Sequence, residues 1–223
     1  MKAMILAAGF GKRLLPHTKK IPKPLLKVGN KSLIEHNINY LIKNGFNEII
    51  INVSYLGDLI QEHVKEVFPS RNIIFSVEDE PLGTGGGILN AIELLGNNNF
   101  LLMNSDIIHS VNISNFPENI QTAHLIGVPN PKHNRNGDFS LRGNHVEVKE
   151  SHNEYTWCGI SVINPIIFHD ININTNYFNI WDGVFPKYIE EGKLTGHKSN
   201  DFWIDVGTQE RLKLANSLYN EHH

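Results

Sequence analysis

Lys2-Ala3-Met4-Ile5-Leu6-Ala7-Ala8-Gly9-Phe10-Gly11-Lys12-Arg13 is the stretch on which the fold turns. Residues 2 to 7 form a short apolar run closed by glycine, the pattern of a strand buried on both faces at the centre of a parallel sheet. The strand therefore feeds directly into a glycine-bearing loop. Working outward, Leu33, Ile34, Ile38, Leu41 and Ile42 recur at helical spacing, with Ser32 as N-cap, Glu35 at the third helical position and Gly45 as terminator. Residues 48 to 53 read as a buried strand, 55 to 68 as an amphipathic helix and 72 to 77 as a strand. A further helix is expected after the glycines at 85 to 87, with Ile88, Ala91, Ile92 and Leu95 on one face, and then a strand over 100 to 103 that ends at Asn104-Ser105-Asp106. Strands alternating with helices predict an α/β fold with a doubly wound, mostly parallel, mixed sheet.

Beyond about residue 120 the texture changes. Residues 124 to 128, 138 to 141, 145 to 149 and 156 to 163 read as short strands separated by Asn/Gly turns, and they are expected to add antiparallel strands over the sheet in the C-terminal half. Helices are expected over 180 to 191 and 208 to 219, flanking a strand over 202 to 206. No internal repeat or linker divides the sequence, so one domain spanning 1–223 is expected.

The 223 residues carry 40% hydrophobic and 19% charged side chains, which is the composition of an ordinary globular protein. A net charge of -3 and a pI near 6.4 supply no basic field for tracking a nucleic-acid backbone. No segment is long and apolar enough to span a membrane, and the stretch Ala3 to Ala8 is too short for a signal peptide core. Cys158 is the sole cysteine, which rules out an internal disulfide, fits a reducing, cytoplasmic compartment and reads as a buried structural thiol. The twelve histidines, among them His133, His145 and His152, show no metal-ligand spacing and read as surface residues. His222 and His223 carry no weight, since they are as compatible with a tag as with a native end.

Three constellations carry chemistry. The first is the glycine loop with Gly9 and Gly11, followed by Arg13 and the Pro22-Lys23-Pro24 segment. Glycine lets backbone N–H groups approach phosphate oxygens, two cations offset phosphate charge, and two prolines stiffen the backbone that aims Lys23. A tight turn with solvated Lys and Arg is the plainer alternative. Neither of two better-known phosphate motifs fits, because Leu14 stands where the dinucleotide fingerprint needs its third glycine, and the P-loop would need Gly at Leu6 and a hydroxyl at Arg13. The second is Pro81-Leu82-Gly83-Thr84-Gly85-Gly86-Gly87, whose glycines suit close approach of a flat base read by main-chain groups, or else a flexible helix entry. The third is the pair Asp106 and Asp205, each at an expected strand end. Mg²⁺ takes one or two carboxylates plus water and phosphate oxygens, though either aspartate could simply cap a turn.

Taken in order, Ala7-Ala8-Gly9-x-Gly-x-Arg13, Pro22-Lys23-Pro24, Leu82-Gly83-Thr84-Gly85-Gly86, Asn104-x-Asp106 and Trp203-x-Asp205-Val206-Gly207-Thr208 resemble the sugar-1-phosphate nucleotidyltransferases over nearly the full chain. Within them, Thr84-Gly85-Gly86-Gly87-Ile88, Gly137-Asp138-Phe139 and Gly159-Ile160-Ser161-Val162 are most similar to the uridylyltransferases that act on N-acetylmuramate 1-phosphate, with the mannose-1-phosphate guanylyltransferases next. The resemblance implies a Rossmann-like enzyme that uses Mg²⁺ to join a nucleoside triphosphate, UTP favoured, to a sugar 1-phosphate with release of pyrophosphate. It implies a nucleotide-binding half of about 1–110 and a sugar-phosphate-binding half of about 111–223. It makes Arg13 and Lys23 catalytic phosphate ligands and Asp106 and Asp205 metal ligands. Ala8, Gly9, Gly11, Gly83, Thr84 and Gly85 then lie along the nucleotide, and Gly137, Lys149, Trp157 and Gly159 border the sugar phosphate, with core packing as the other reading of Trp157. Neither nucleic acid nor membrane is an expected partner, and a monomer is expected. The rival classes are a nucleotide-sugar sensor without catalysis, which has no need of the four charged residues, and an NAD-dependent oxidoreductase, which the broken fingerprint opposes.

Overall fold

The computed structural model describes residues 1–117, 119–169, 171 and 177–222, with side chains as far as Tyr219; His223 and the side chain of His222 lie outside the described residues. In chain order, β1 (Ala3–Leu6) leads through short 3-10 turns to the hairpin β2 (Lys27–Val28) and β3 (Lys31–Ser32). Then come α1 (Leu33–Lys43), β4 (Glu48–Val53), α2 (Gly57–Val67), β5 (Asn72–Val77), α3 (Gly83–Asn90), α4 (Ile92–Leu95), β6 (Phe100–Asn104) and β7 (Ile107–His109). The second half holds β8 (Ala123–Pro129), β9 (Ser140–Arg142), β10 (His145–Glu147), β11 (Tyr155–Ile163), α5 (Ile180–Gly183), α6 (Phe185–Glu190), β12 (Leu194–Lys198), β13 (Trp203–Asp205) and α7 (Gln209–His222).

Among the described residues, nine strands make one mixed sheet in the order β5-β4-β1-β6-β11-β8-β12-β10-β9. β5, β4, β1 and β6 are mutually parallel, and β11 runs antiparallel to both β6 and β8. Side chains alternate across this sheet: Ala3, Ile5, Ile49, Ile51, Leu101 and Met103 pack on one face with α1 and α2, whereas Met4, Ile50, Phe100 and Leu102 pack on the other with α3. Both faces are covered, so the central strands are apolar along most of their length, with Asn52 and Asn104 as polar exceptions at the carboxyl ends of β4 and β6.

The Ser32 and Glu35 reading of the α1 start holds: Ser32 Oγ accepts from Glu35 N at 3.3 Å, and the Glu35 carboxylate accepts in turn from Ser32 N. Gly45 follows the helix at φ +82°, a conformation that other residues adopt only with strain.

Four expectations change in detail. The C-terminal strands extend the same sheet beyond β6 instead of lying over it, because β11 takes its hydrogen bonds from the free edge of β6. The helix expected over 180 to 191 is broken into α5 and α6 at Val184, since Pro186 has no N–H to donate back across that point to the carbonyl four residues earlier, and it is instead accommodated in the first turn of α6. The strand near 202 to 206 pairs with β7 in a separate two-stranded ribbon. Finally, α3 starts at Gly83, so the glycines form the first turns of the helix and do not precede it.

Candidate active site

The chain leaves β1 toward β4 and β5 on one side, then returns to β6 on the other, so the carboxyl ends of β1 and β6 flank a topological switch point. Open α/β sheets bind ligands at that place. A cavity of about 650 Å³ opens there, lined by Leu6 to Arg13, Lys23, Pro24, Asn52, Pro81, Gly83, Thr84, Asn104 to Asp106, Tyr177, Asn179 and Gly207. The first two sequence constellations and Asp106 therefore meet at one wall.

The loop that carries Arg13 and Lys23 is long and is held by its own small core. Leu14, Leu26 and Val28 pack with Leu33, Ile108, Ile204, Val206 and Ala215, beneath the β7–β13 ribbon and α7. Fully buried Leu14 leaves its neighbour Arg13 exposed at the cavity wall. Gly11 sits at φ +62°, and a Cβ there would come within 3.0 Å of Thr18 Cγ2, so the turn needs glycine for conformation and for space. Gly9 differs: nothing lies within 4 Å of where its Cβ would stand. Lys23 Nζ donates to Asp106 Oδ2, with both side chains largely covered. Ammonium and carboxylate thus neutralise one another beside the cavity.

Asp205 is brought next to Asp106, because β13 pairs antiparallel with β7, Asp205 opposite Ile107, and Val206 N donates to Asp106 O at 2.7 Å. It stands one layer behind the cavity wall. Arg211 Nη2 lies 3.0 Å from Asp205 Oδ2 and His133 Nε2 lies 3.1 Å from Oδ1. The Arg211 contact pairs opposite charges and the His133 contact brings up an imidazole, but neither has hydrogen-bond directionality, so Asp205 Oδ1 is buried with no hydrogen-bond partner among the described residues. Burial holds the His133 imidazole below the ordinary histidine range, against the opposing pull of Asp205. Two neighbouring carboxylates, one facing the cavity and one with an unsatisfied buried oxygen, fit a hard divalent cation that completes its shell from phosphate oxygens and water. No cluster of three or more acidic, His or Cys ligands exists among the described residues, so such an ion depends on its substrate for the remaining ligands.

The glycine helix behaves differently from the glycine loop. Gly83 and Thr84 line the cavity, but Gly85 does not. A Cβ at Gly85 would stand 2.3 Å from Phe178 Cε2, and the N–H groups of Gly85 and Gly86 both donate to Phe178 O, at 3.0 and 3.2 Å. The main-chain donors expected to read a base are thus already used at Gly85, and the space is filled by protein. Thr84 Oγ1 likewise accepts from Ile180 N at 3.0 Å.

Of the residues expected around the sugar phosphate, none lines this cavity. Gly137, at φ +65°, is a turn glycine whose Cβ would stand 2.4 Å from Asn153 O. Trp157 stacks on Trp181 at 5.9 Å and meets Phe185 edge-on, which is the packing alternative. Lys149 ion-pairs with Glu147 at 3.5 Å and Glu154 at 3.4 Å on the surface, drawn there because its strand stops at Glu147. Gly159, at φ +78° in the bulge of β11, stands behind the cavity floor, where a Cβ would press 2.4 Å from Asn104 Nδ2. Cys158 is fully buried and its thiol is pushed up to about 12 by burial, so it is a packing residue and no nucleophile.

Sequence reasoning missed His133, Arg211, Asn52 and Glu78. His133 and Arg211 reach Asp205 from 72 residues before it and from the first turn of α7. No local spacing announces such contacts. Glu78, by contrast, is an acidic residue directly after an expected strand and just ahead of the glycine-rich segment, which is a signal that could have been read.

A family model described as nucleotidyl transferase matches residues 2–138. The N-acetylmuramate alpha-1-phosphate uridylyltransferase of Neisseria meningitidis serogroup B is 36% identical, with 98% of each chain covered. The mannose-1-phosphate guanyltransferase of Aspergillus oryzae is 31% identical over 98% of this chain, which spans only 64% of that protein. Among solved structures, HddC from Yersinia pseudotuberculosis complexed with GMP-PN superposes with a TM-score of 0.82 at 26% identity, covering 98% of this chain and 99% of that one.

Proposed function

The chain belongs to the nucleotidyl transferase family, as a sugar-1-phosphate nucleotidyltransferase, and on that premise we propose that it transfers the uridylyl group of UTP to N-acetylmuramate α-1-phosphate in cell-wall recycling. The observation that carries this reading is the convergence of Arg13, Lys23 and Asp106 on one cavity at the sheet's switch point. Support for the muramate ester comes from the Neisseria protein, which is 36% identical to this chain, against 31% for the guanyltransferase of Aspergillus.

In this reading an oxygen of the sugar phosphate attacks the α-phosphorus in line. The bond from that phosphorus to the bridging oxygen breaks, and pyrophosphate leaves with the electron pair. No general base is needed, because a phosphate monoester with a second pKa of about 6 is already largely dianionic at neutral pH. The task of the protein is to hold two anions together. Arg13, at the open wall, and Lys23, at the floor, offset that repulsion, and the backbone at Ala8, Gly9 and Gly11 follows the phosphates without a side chain intervening. A magnesium ion held by Asp106 and Asp205 would supply further neutralisation of the triphosphate. Gly83 and Thr84 border the base. Lys149 has no part in this reading, since Glu147 and Glu154 engage it. In this reading the protein works in the cytoplasm as a monomer. Separately, no helix among the described residues is long and apolar enough to cross a membrane.

Pyrophosphate release with Mg²⁺ tests the proposal, using UTP, GTP, dTTP and CTP in turn against the 1-phosphates of N-acetylmuramate, mannose, N-acetylglucosamine and glucose. The expected outcome is preference for UTP with the muramate ester. Preference for GTP with mannose 1-phosphate would replace that substrate pair with the one its guanyltransferase relatives carry in their names, and silence in every pairing would leave a binding protein without catalysis.

A further inference from the structure

A buried carboxylate sits between the two loops that border the cavity, and the mechanism above does not use it. Glu78 follows β5 directly, is only 4% exposed, and pairs with no Lys, Arg or His among the described residues. Its partners are neutral donors: Glu78 Oε1 accepts from Asn52 Nδ2 at 2.6 Å, and Oε2 accepts from Leu82 N at 2.9 Å. Asn52, 2% exposed near the end of β4, completes the connection, because its Oδ1 accepts from Ala7 N at 2.8 Å. Helix α3 packs onto the pair at Gly87, where a Cβ would stand 2.6 Å from Asn52 Nδ2 and 2.7 Å from Glu78 Oε1. Burial raises the Glu78 carboxyl above its ordinary range, so a hydrophobic residue would be the less costly occupant if filling space were all that mattered.

The ends of this hydrogen-bond chain are informative. Ala7 opens the glycine loop that runs to Arg13, and Leu82 precedes Gly83 and Thr84, so the chain joins the phosphate side of the cavity to its base side through two side chains. We infer that Asn52 and Glu78 are positioning residues that lock the two nucleotide-gripping loops at a fixed separation, and that nucleotide affinity depends on the continuity of their hydrogen bonds. This rests on the nucleotide-binding reading above.

Donor and acceptor counting supplies a test that shape alone does not. In Glu78→Gln the residue has one acceptor left for two donors, Asn52 Nδ2 and Leu82 N, so one link breaks however the amides turn. In Asn52→Asp two carboxylates face each other with no donor between them. In the double variant, the carboxylate introduced at position 52 accepts from Ala7 N and from the new amide at position 78, while the oxygen of that amide accepts from Leu82 N. Every link is restored with the charge moved by one residue.

The experiment measures KM and kcat for UTP, or for GTP should the substrate matrix favour it, in both single variants and the double. Each single is expected to raise the nucleotide KM about tenfold, in keeping with one unsatisfied buried group, with kcat and the sugar-phosphate KM within about threefold of the parent. The double is expected to return the nucleotide KM to within about threefold of the parent. Singles indistinguishable from the parent, or a double whose losses add, would overturn the inference. A single that fails to fold while the double folds is the same rescue by another readout. Amide hydrogen exchange on the unmodified protein gives an answer independent of any variant: slow exchange at both Ala7 and Leu82 is expected, and a Leu82 amide exchanging at the rate of a free loop would overturn the proposal. Should no nucleotide be turned over in the matrix, the functional reading fails, and the two amides still decide whether the loops are joined.

Discussion

Two glycine-rich segments border the cavity, and they are glycine-rich for opposite reasons. In the loop after β1, Gly9 leaves open space that no protein atom claims within 4 Å. In the helix after β5, the space at Gly85 is filled by the Phe178 ring, and that at Gly87 by Asn52 and Glu78. The first segment keeps side chains out of the way of a ligand, whereas the second lets protein pack on protein. Glycine content alone therefore does not locate a binding site. What discriminates is whether the missing Cβ would meet protein or solvent.

That contrast can be broken most decisively at the charged residues of the first region. Lys23→Ala and Asp106→Ala should each lower turnover on the order of 10² to 10³-fold, the scale seen when one preorganised electrostatic contact to a transition state is lost. Thermal stability should fall as well, because each truncation leaves a largely covered charge without its partner, so the diagnostic readout is turnover of the folded variant. Steady-state kinetics beside a melting curve checks both. Unchanged turnover in either variant would remove that residue from the mechanism.

The packing side predicts the reverse. Gly85→Ala places a methyl group 2.3 Å from the Phe178 ring and should cost about 1–3 kcal/mol of stability, the usual scale of overpacking in a dense core. Chemical denaturation reads this directly. Below its melting transition the folded variant should keep a near-parental kcat, because Gly85 does not line the cavity. Gly159→Ala should fall between the two classes. Its φ of +78° strains any other residue by roughly 1–2 kcal/mol, and the new methyl would push Asn104, a cavity-lining side chain, by way of its Nδ2 at 2.4 Å. Both the melting temperature and kcat should drop, and movement of one without the other would separate Asn104 from catalysis or from packing.

The same contrast explains how much was legible in the sequence. The central strands, the Ser32–Glu35 capping box and the aspartate after β6 could be read locally, because alternation, caps and strand ends depend on residues a few positions apart. Lys23 was legible for a related reason, since its flanking prolines mark it within its own segment. The occupant of the glycine helix was not. Phe178 lies 93 residues beyond Gly85, and only the fold brings its carbonyl onto the Gly85 and Gly86 N–H groups. Arg211 and His133 are of the same kind, brought to Asp205 from α7 and from the turn after β8. Lys149 was named only through the resemblance, and its ion pairs with Glu147 and Glu154 are again contacts that no spacing announces.

The smallest expected effect is also the cleanest discriminator. Gly9→Ala adds a methyl where no protein atom stands within 4 Å, at a backbone conformation outside the left-handed region, so the protein itself has no steric reason to require glycine there. Stability should stay within about 0.5 kcal/mol of the parent, the ordinary range for a substitution that touches nothing. If the loop is kept bare for phosphate oxygens, the methyl must occupy part of the path they take, and the KM for the nucleotide should rise several-fold, about 1 kcal/mol of lost binding. The sugar-phosphate KM should respond less. A variant with parental stability and parental nucleotide KM would mean that the open space beside Gly9 is not where the triphosphate runs. The phosphate path would then have to be drawn along Arg13 and Lys23 alone, and the difference between the two glycine segments would reduce to packing on one side and chance on the other.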